Sequence, residues 1–98
     1  MEYDEIINSN RVVLVEFYAT WCPHCQRMMP VVSNIEAKLG TKATVNQIDV
    51  DKYPDITKAE RVDSYPTFII YVDGKEQWRH SGEMDEAALL SKIESYTR

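Results

Sequence analysis

The stretch VVLVEFYATWCPHC, residues 12–25, decides how the rest of the chain is read. Val12, Val13, Leu14, Val15 and Phe17 are apolar without strict alternation. That is the pattern of a strand buried on both faces, in the middle of a sheet. Cys22 and Cys25, the only cysteines in the chain, follow at once. Pro23 between them suits the first turn of a helix, where a missing N–H costs nothing, and that makes Cys22 the N-cap. Cys25, Met28, Met29, Val32, Ile35 and Leu39 then recur at the three-four spacing of one buried helix face. Gly40 ends this helix. Pro30 falls inside it and cannot donate to the carbonyl of Gln26, so a kink is expected there. The cysteine pair thus sits at the carboxyl end of a strand, where α/β sheets usually place their chemistry.

Working outward, residues 3–9 read as a short helix with Ile6 and Ile7 inward. ATVNQIDV (43–50) reads as a second strand. YPDITKAERV (53–62) reads as a short helix, with Pro54 at its start and Ile56, Ala59 and Val62 inward. PTFIIYV (66–72) is a third strand, Asp73-Gly74 a hairpin signal, and KEQWRHS (75–81) a fourth strand antiparallel to the third. After Gly82, Asp85 and Glu86 open a last helix that buries Leu89, Leu90, Ile93 and Tyr96, with the acids at the favourable end of its dipole. The order is α-β-α-β-α-β-β-α. A helix joins the first two strands, which predicts a parallel pair with a right-handed crossover. The expected fold class is α/β: a four-stranded mixed sheet flanked by helices on both faces. There are no repeats or linkers, and residues 1–98 are expected to form a single domain.

The formal net charge of −5 over 98 residues argues against nucleic-acid binding, which needs clustered Lys and Arg. No apolar run approaches the ~20 residues of a membrane span. The N-terminal MEYDEIINSN is acidic and lacks the apolar core of a signal peptide. These features point to the cytoplasm, or to an extracytoplasmic setting if Met1 replaces a trimmed leader.

Two cysteines do not make a disulfide scaffold, and a bridge across two residues closes too small a loop to constrain much unfolded-chain entropy. A zinc site needs four ligands. Cys22, Cys25, His24 and His80 are the candidates, but His24 lies between the cysteines and cannot easily converge with both on one ion. No metal is expected, and His80 reads as a surface or packing residue. Redox chemistry remains. The thiolate is the nucleophile of disulfide exchange. A sulfur at the N-cap faces unpartnered N–H groups, those of His24 and Cys25, at the positive end of the helix dipole. Cys22 should therefore be acidified, whereas Cys25, one turn in, should be more buried and less acidic. Cys22 would attack a substrate disulfide and Cys25 resolve the mixed disulfide.

VEFYATWCPHC resembles the active-site segment of thioredoxins, and the resemblance covers nearly the whole chain. Strand, WCxxC, Pro30, QIDVD, SYPTF, DG and SG occur in the family's order. It implies the thioredoxin fold and a thiol-disulfide oxidoreductase acting through a reversible Cys22–Cys25 disulfide, with no other cofactor. Implied partners are disulfide-containing protein substrates and an electron donor such as a thioredoxin reductase; the protein is expected to be a monomer. The resemblance also implies that Pro66 is cis and faces the cysteines. Tyr65, just before it, would pair its backbone with the substrate chain, and Trp21, Tyr65, Pro66, Ser81 and Gly82 would surround the cysteines as a docking surface. Glu16 interrupts the apolar strand. A buried carboxyl has a raised pKa and can shuttle a proton, here to serve Cys25; thioredoxins usually carry Asp at this place. Some also carry a Lys near that acid on the second strand, where Val45 is expected here, leaving Glu16 without that partner. Many begin with an extra strand that this sequence lacks.

Typical thioredoxins have Gly-Pro between the cysteines. The Pro-His of residues 23–24 is similar to the dipeptide of periplasmic disulfide oxidases. An exposed His24 is expected to place positive charge near the Cys22 thiolate and make the disulfide more oxidising. Those oxidases carry an inserted helical domain for which 98 residues leave no room, so the likeness covers the dipeptide only. Two alternatives stand beside the reductase reading: an extracytoplasmic oxidase or isomerase, and a non-catalytic binding module on the same scaffold.

Overall fold

The computed structural model of the chain describes residues 1–98. Because both of its faces carry apolar residues, β1 (Val12–Tyr18) takes an interior place, and every residue from Val12 to Phe17 is buried. The other elements are α1 (Tyr3–Ile7), α2 (Pro23–Leu39), β2 (Thr44–Asp49), α3 (Pro54–Ala59), β3 (Thr67–Val72), β4 (Lys75–Ser81) and α4 (Glu86–Glu94). The sheet has four strands in the order β2-β1-β3-β4. β1 and β2 are parallel, with Glu16 opposite Gln47. β3 runs antiparallel to both β1 and β4. The β3–β4 turn is made by Asp73 and Gly74 at φ 52° and 78°, the pair of positive angles that matches the twist of a two-residue hairpin.

Alternation along β1 builds two cores. Val13, Val15 and Phe17 pack with Ile7 of α1 and, beyond α3, Val62. Val12 and Leu14 pack with Met28, Val32, Ile35 and Leu39 of α2 and with Leu89 and Ile93 of α4. Leu90 and Tyr96 are half-buried against this second cluster. Helices therefore cover both faces, as the sequence pattern predicts. Cys22 and Cys25 join the first of these clusters although the body of α2 belongs to the second, so the start of α2 lies where the two layers meet.

Two expected packing positions are corrected. Met29 is 59 % exposed. The buried positions of α2 follow a strict three-four stripe from Cys25 to Leu39, and Met29 stands one residue, about 100°, off it. In α3, Ala59 is exposed and Thr57 is buried instead, its hydroxyl donating to the Tyr53 carbonyl at 2.8 Å. The helix stops at Ala59 and Arg61 takes φ 58°, so a helical period cannot be projected through to Val62. α2 runs unbroken through Pro30, which is exposed.

Candidate active site

Cys22 ends the turn after β1, its N–H donating to the Ala19 carbonyl at 3.2 Å. It has extended backbone angles (φ −88°, ψ 118°) as the N-cap of α2, and its carbonyl accepts the first helical bond from Gln26 at 3.0 Å. Pro23 is the first helical residue. Both cysteines are free thiols, 6 % and 2 % exposed. The Cys22 thiol donates to the Tyr65 carbonyl at 3.6 Å, so Sγ makes no capping bond in this protonated form. The N–H of Cys25 is the strongest influence favouring the Cys22 anion. The Cys25 thiol, the N–H of His24 and the charge of Arg27 add to it, and together they hold the Cys22 pKa below the ordinary thiol value despite partial desolvation. Burial pushes Cys25 the other way, to about 11, reinforced by its hydrogen bond to Cys22 and by the negative charges of Cys22 and Glu16. The two sulfurs are thus inequivalent: one is acidified and the other is held protonated.

Glu16 is buried to 1 % exposure within β1. Desolvation raises its pKa, partly offset by the hydrogen bond that Gln47 Nε2 donates to Oε1 at 2.9 Å. The side chain that pairs with the acid from β2 is Gln47; Val45, where the resemblance places the family's Lys, lies opposite Leu14. Only the strand register reveals this pairing; no local motif announces it.

The expected docking residues connect to one another and to Cys22. The Tyr65–Pro66 peptide is cis and Pro66 is buried. Gly82 N–H donates to the Pro66 carbonyl at 2.7 Å, and the Ser81 hydroxyl bonds to that of Thr67 at 3.0 Å. Trp21 is 62 % exposed. It meets Tyr65 edge-on, centroids 6.2 Å apart, while its indole N–H donates to Asp51 at 2.9 Å. An open groove lined by Val50, Asp51, Pro54, Thr57 and Tyr65 continues from this face. Pro30 lies two turns along α2 from Pro23, away from this set.

His24 is exposed, as expected, but it has a partner that sequence reading missed. Its Nδ1 lies 2.6 Å from Glu83 Oε2, and Arg27 donates to the same oxygen through Nη2 at 2.7 Å and Nε at 3.0 Å. Arg27 stands one helical turn from His24 and was detectable from that spacing. Glu83 is remote in sequence and was not. His80 stacks on Trp78 with centroids 5.9 Å apart, and no group of three or more His, Cys, Asp or Glu side chains is placed to hold a metal ion. No helix is long and apolar enough to cross a membrane.

Comparison with known proteins follows the same lines. A family model described as Thioredoxin matches residues 1–95. The chain is 42 % identical over 94 residues to the chloroplastic thioredoxin Y of Oryza sativa subsp. japonica, covering 95 % of this chain but only 56 % of that one. It is 36 % identical over 91 residues to a bifunctional thioredoxin reductase/thioredoxin of Mycobacterium leprae, 93 % of this chain and 20 % of that one. A solved mutant thioredoxin from Halobacterium salinarum NRC-1 superposes with a TM-score of 0.89 at 40 % identity, covering 99 % of this chain and 84 % of the other. The chain spans about half the length of the rice relative.

Proposed function

The chain belongs to the thioredoxin family, and from that premise we propose that it is a protein thiol-disulfide oxidoreductase formed by one domain. The observation that carries the proposal is the asymmetry of the cysteine pair: Cys22 acidified at a helix N-cap, and Cys25 buried with its pKa pushed up to about 11. The Cys22 thiolate attacks one sulfur of a substrate disulfide; a Cys22–substrate bond forms, the substrate S–S bond breaks, and the second substrate sulfur leaves as a thiolate. Cys25 loses its proton and attacks Cys22 Sγ. The Cys22–Cys25 disulfide forms, the remaining substrate thiolate departs, and the substrate has gained two electrons. An external dithiol donor then restores the pair.

Glu16 is the proposed acceptor of the Cys25 proton. It is buried with a raised pKa, and its charge is felt at Cys25, so the buried carboxylate takes up a proton more readily than an exposed one. The proposed docking surface is Trp21, Tyr65, Pro66, Ser81 and Gly82, with an extended substrate segment lying against the backbone at Tyr65. The M. leprae relative, named as both thioredoxin reductase and thioredoxin, supports a reductase of that kind as electron donor. Disulfide-containing proteins are the proposed substrates and a monomer the proposed state. The proposed compartment is the cytoplasm, although the rice relative is chloroplastic.

Dithiothreitol-driven reduction of insulin tests the activity. Turnover that disappears in Cys22→Ser is expected. Cys25→Ser should instead accumulate a mixed disulfide with substrate, visible as a mass adduct. Absence of turnover in the unaltered protein would favour the binding-module reading.

A further inference from the structure

The side chains of His24, Arg27 and Glu83 form a cluster at the start of α2, next to the cysteine pair, and Glu83 has no part in the mechanism above. It joins the first two turns of α2 to the segment that follows Gly82, whose own N–H is bound to Pro66. One carboxylate oxygen, Glu83 Oε2, serves all three contacts: His24 Nδ1 at 2.6 Å, and Arg27 Nη2 and Nε at 2.7 and 3.0 Å. Arg27 Nη2 also lies 2.9 Å from His24 Nδ1. That ring nitrogen stands between a donor and an acceptor and can satisfy only one. Arg has no lone pair to offer and cannot give up its charge, and the Glu83 contact is the shorter, so Nδ1 carries a proton and donates it to Glu83. His24 is then a member of a compensated pair, and any positive charge it holds is matched at once by the carboxylate.

Arg27 brings a second positive charge to the same carboxylate and makes two of its three contacts, so Glu83 draws on both cations. Arg27 is always charged, and its charge reaches the Cys22 sulfur. Of the titratable side chains on neighbouring elements, the Cys25 thiol hydrogen-bonds to Cys22, Tyr65 meets Trp21 edge-on, Asp51 accepts from the Trp21 indole and Glu16 accepts from Gln47.

On the reading of Cys22 and Cys25 as an exchanging pair, we propose that Glu83 is a positioning residue of the dithiol site. It takes up the positive charge that His24 and Arg27 would otherwise present at the start of α2, beside the Cys22 thiolate. The oxidising bias expected from the Pro-His dipeptide is then held in check by a carboxylate from the other side of the site.

The test is a titration of the Cys22 thiolate, followed by its ultraviolet absorbance and by alkylation rate across pH, together with the equilibrium of the dithiol against glutathione. The proteins are the unaltered chain, Arg27→Gln, His24→Gln, Glu83→Gln and the double variant His24→Gln/Glu83→Gln. All three side chains are exposed, so the shifts are bounded by what solvent-screened pairs supply, about two- to fivefold in the ionisation constant. Arg27→Gln should raise the Cys22 pKa by that amount, and Glu83→Gln should lower it. His24→Gln should leave it in place when Glu83 is present and raise it when Glu83 is Gln. The shifts should shrink at high ionic strength. A Glu83→Gln protein with an unchanged Cys22 titration, whatever its melting temperature, would overturn the proposal. So would a His24→Gln shift as large with Glu83 as without it. Neither readout needs substrate turnover, so a failure in the insulin assay would be distinguishable from a failure here.

Discussion

Glu16 shows how a single side chain couples chemistry to stability. Its carboxyl is buried in an otherwise apolar strand, and burial raises its pKa above the ordinary 4.5. Below that value the acid is neutral in both the folded and the unfolded chain. As pH rises from there through the raised folded value, the unfolded chain releases the proton first, so stability falls with pH across this window. Glu16→Gln keeps a neutral hydrogen-bonding side chain beside Gln47. It should remove that decline, making the variant the more stable protein at neutral and alkaline pH in urea unfolding at a series of pH values. The same substitution should slow the resolution of a Cys22 mixed disulfide and flatten its pH profile. Equal resolution rates in the two proteins would separate the buried acid from the chemistry. That Glu16 is buried was legible from its apolar neighbours. That Gln47 is its partner was not, because a cross-strand contact depends on register, and a shift of two residues in a parallel pair leaves the same face pattern.

At the scale of elements, the start of α2 was the most legible part. Cys22 at the N-cap and Pro23 at the first helical position follow from local chemistry alone, and local chemistry survives folding unchanged. The faces of α2 and α3 were read less well. Met29 belongs to the apolar composition of α2 but not to its inward stripe, and α3 is too short for its period to show. The β3–β4 hairpin was read from Asp73-Gly74, and its geometry carries a prediction. Gly74 stands at φ 78°, where a side chain is strained whatever the space. A Cβ there would also come within 2.5 Å of Asn8 Oδ1, a contact that the Asn8 side chain can relieve by turning. Gly74→Ala should therefore cost about 1–2 kcal/mol, a drop in melting temperature of roughly 4–16 °C for a domain of this size. The Cys22 titration should stay in place.

Across the whole molecule, two cores share one sheet, and they meet the active site differently. The cysteines pack with the layer that includes α1, whereas Ile35 and Leu89, both fully buried, lie in the layer of α2 and α4. Truncating Ile35 to Ala leaves a cavity behind α2 and should cost about 2–5 kcal/mol, a large share of the roughly 5–15 kcal/mol that holds a domain folded. Chemical denaturation would measure it. Insulin reduction by the fraction still folded should proceed at the normal rate per molecule, because the cysteines rest on the opposite layer. The layered sheet itself was legible, since the alternation in β1 and the order of elements specify it. The bond from Glu83 back to His24 was not: it spans the chain from the first helix turn after β1 to the segment beyond β4, and no pattern along the sequence marks a contact made only when the sheet closes.

Trp21 and Trp78, the only two indoles in the chain, occupy opposite kinds of place. Trp21 adjoins Cys22, exposed, edge-on to Tyr65 and bonded to Asp51. Trp78 lies on β4, stacked on His80 with the Lys92 ammonium 5.9 Å from its ring centre. The molecule thereby carries two intrinsic optical probes with separate duties. Emission from Trp21 reads whether the neighbouring sulfurs are bonded to each other or to a substrate, and emission from Trp78 reads whether β4 and α4 remain docked. Replacing either indole with Phe would isolate the other signal, so oxidation and unfolding can be followed in one sample without an added label.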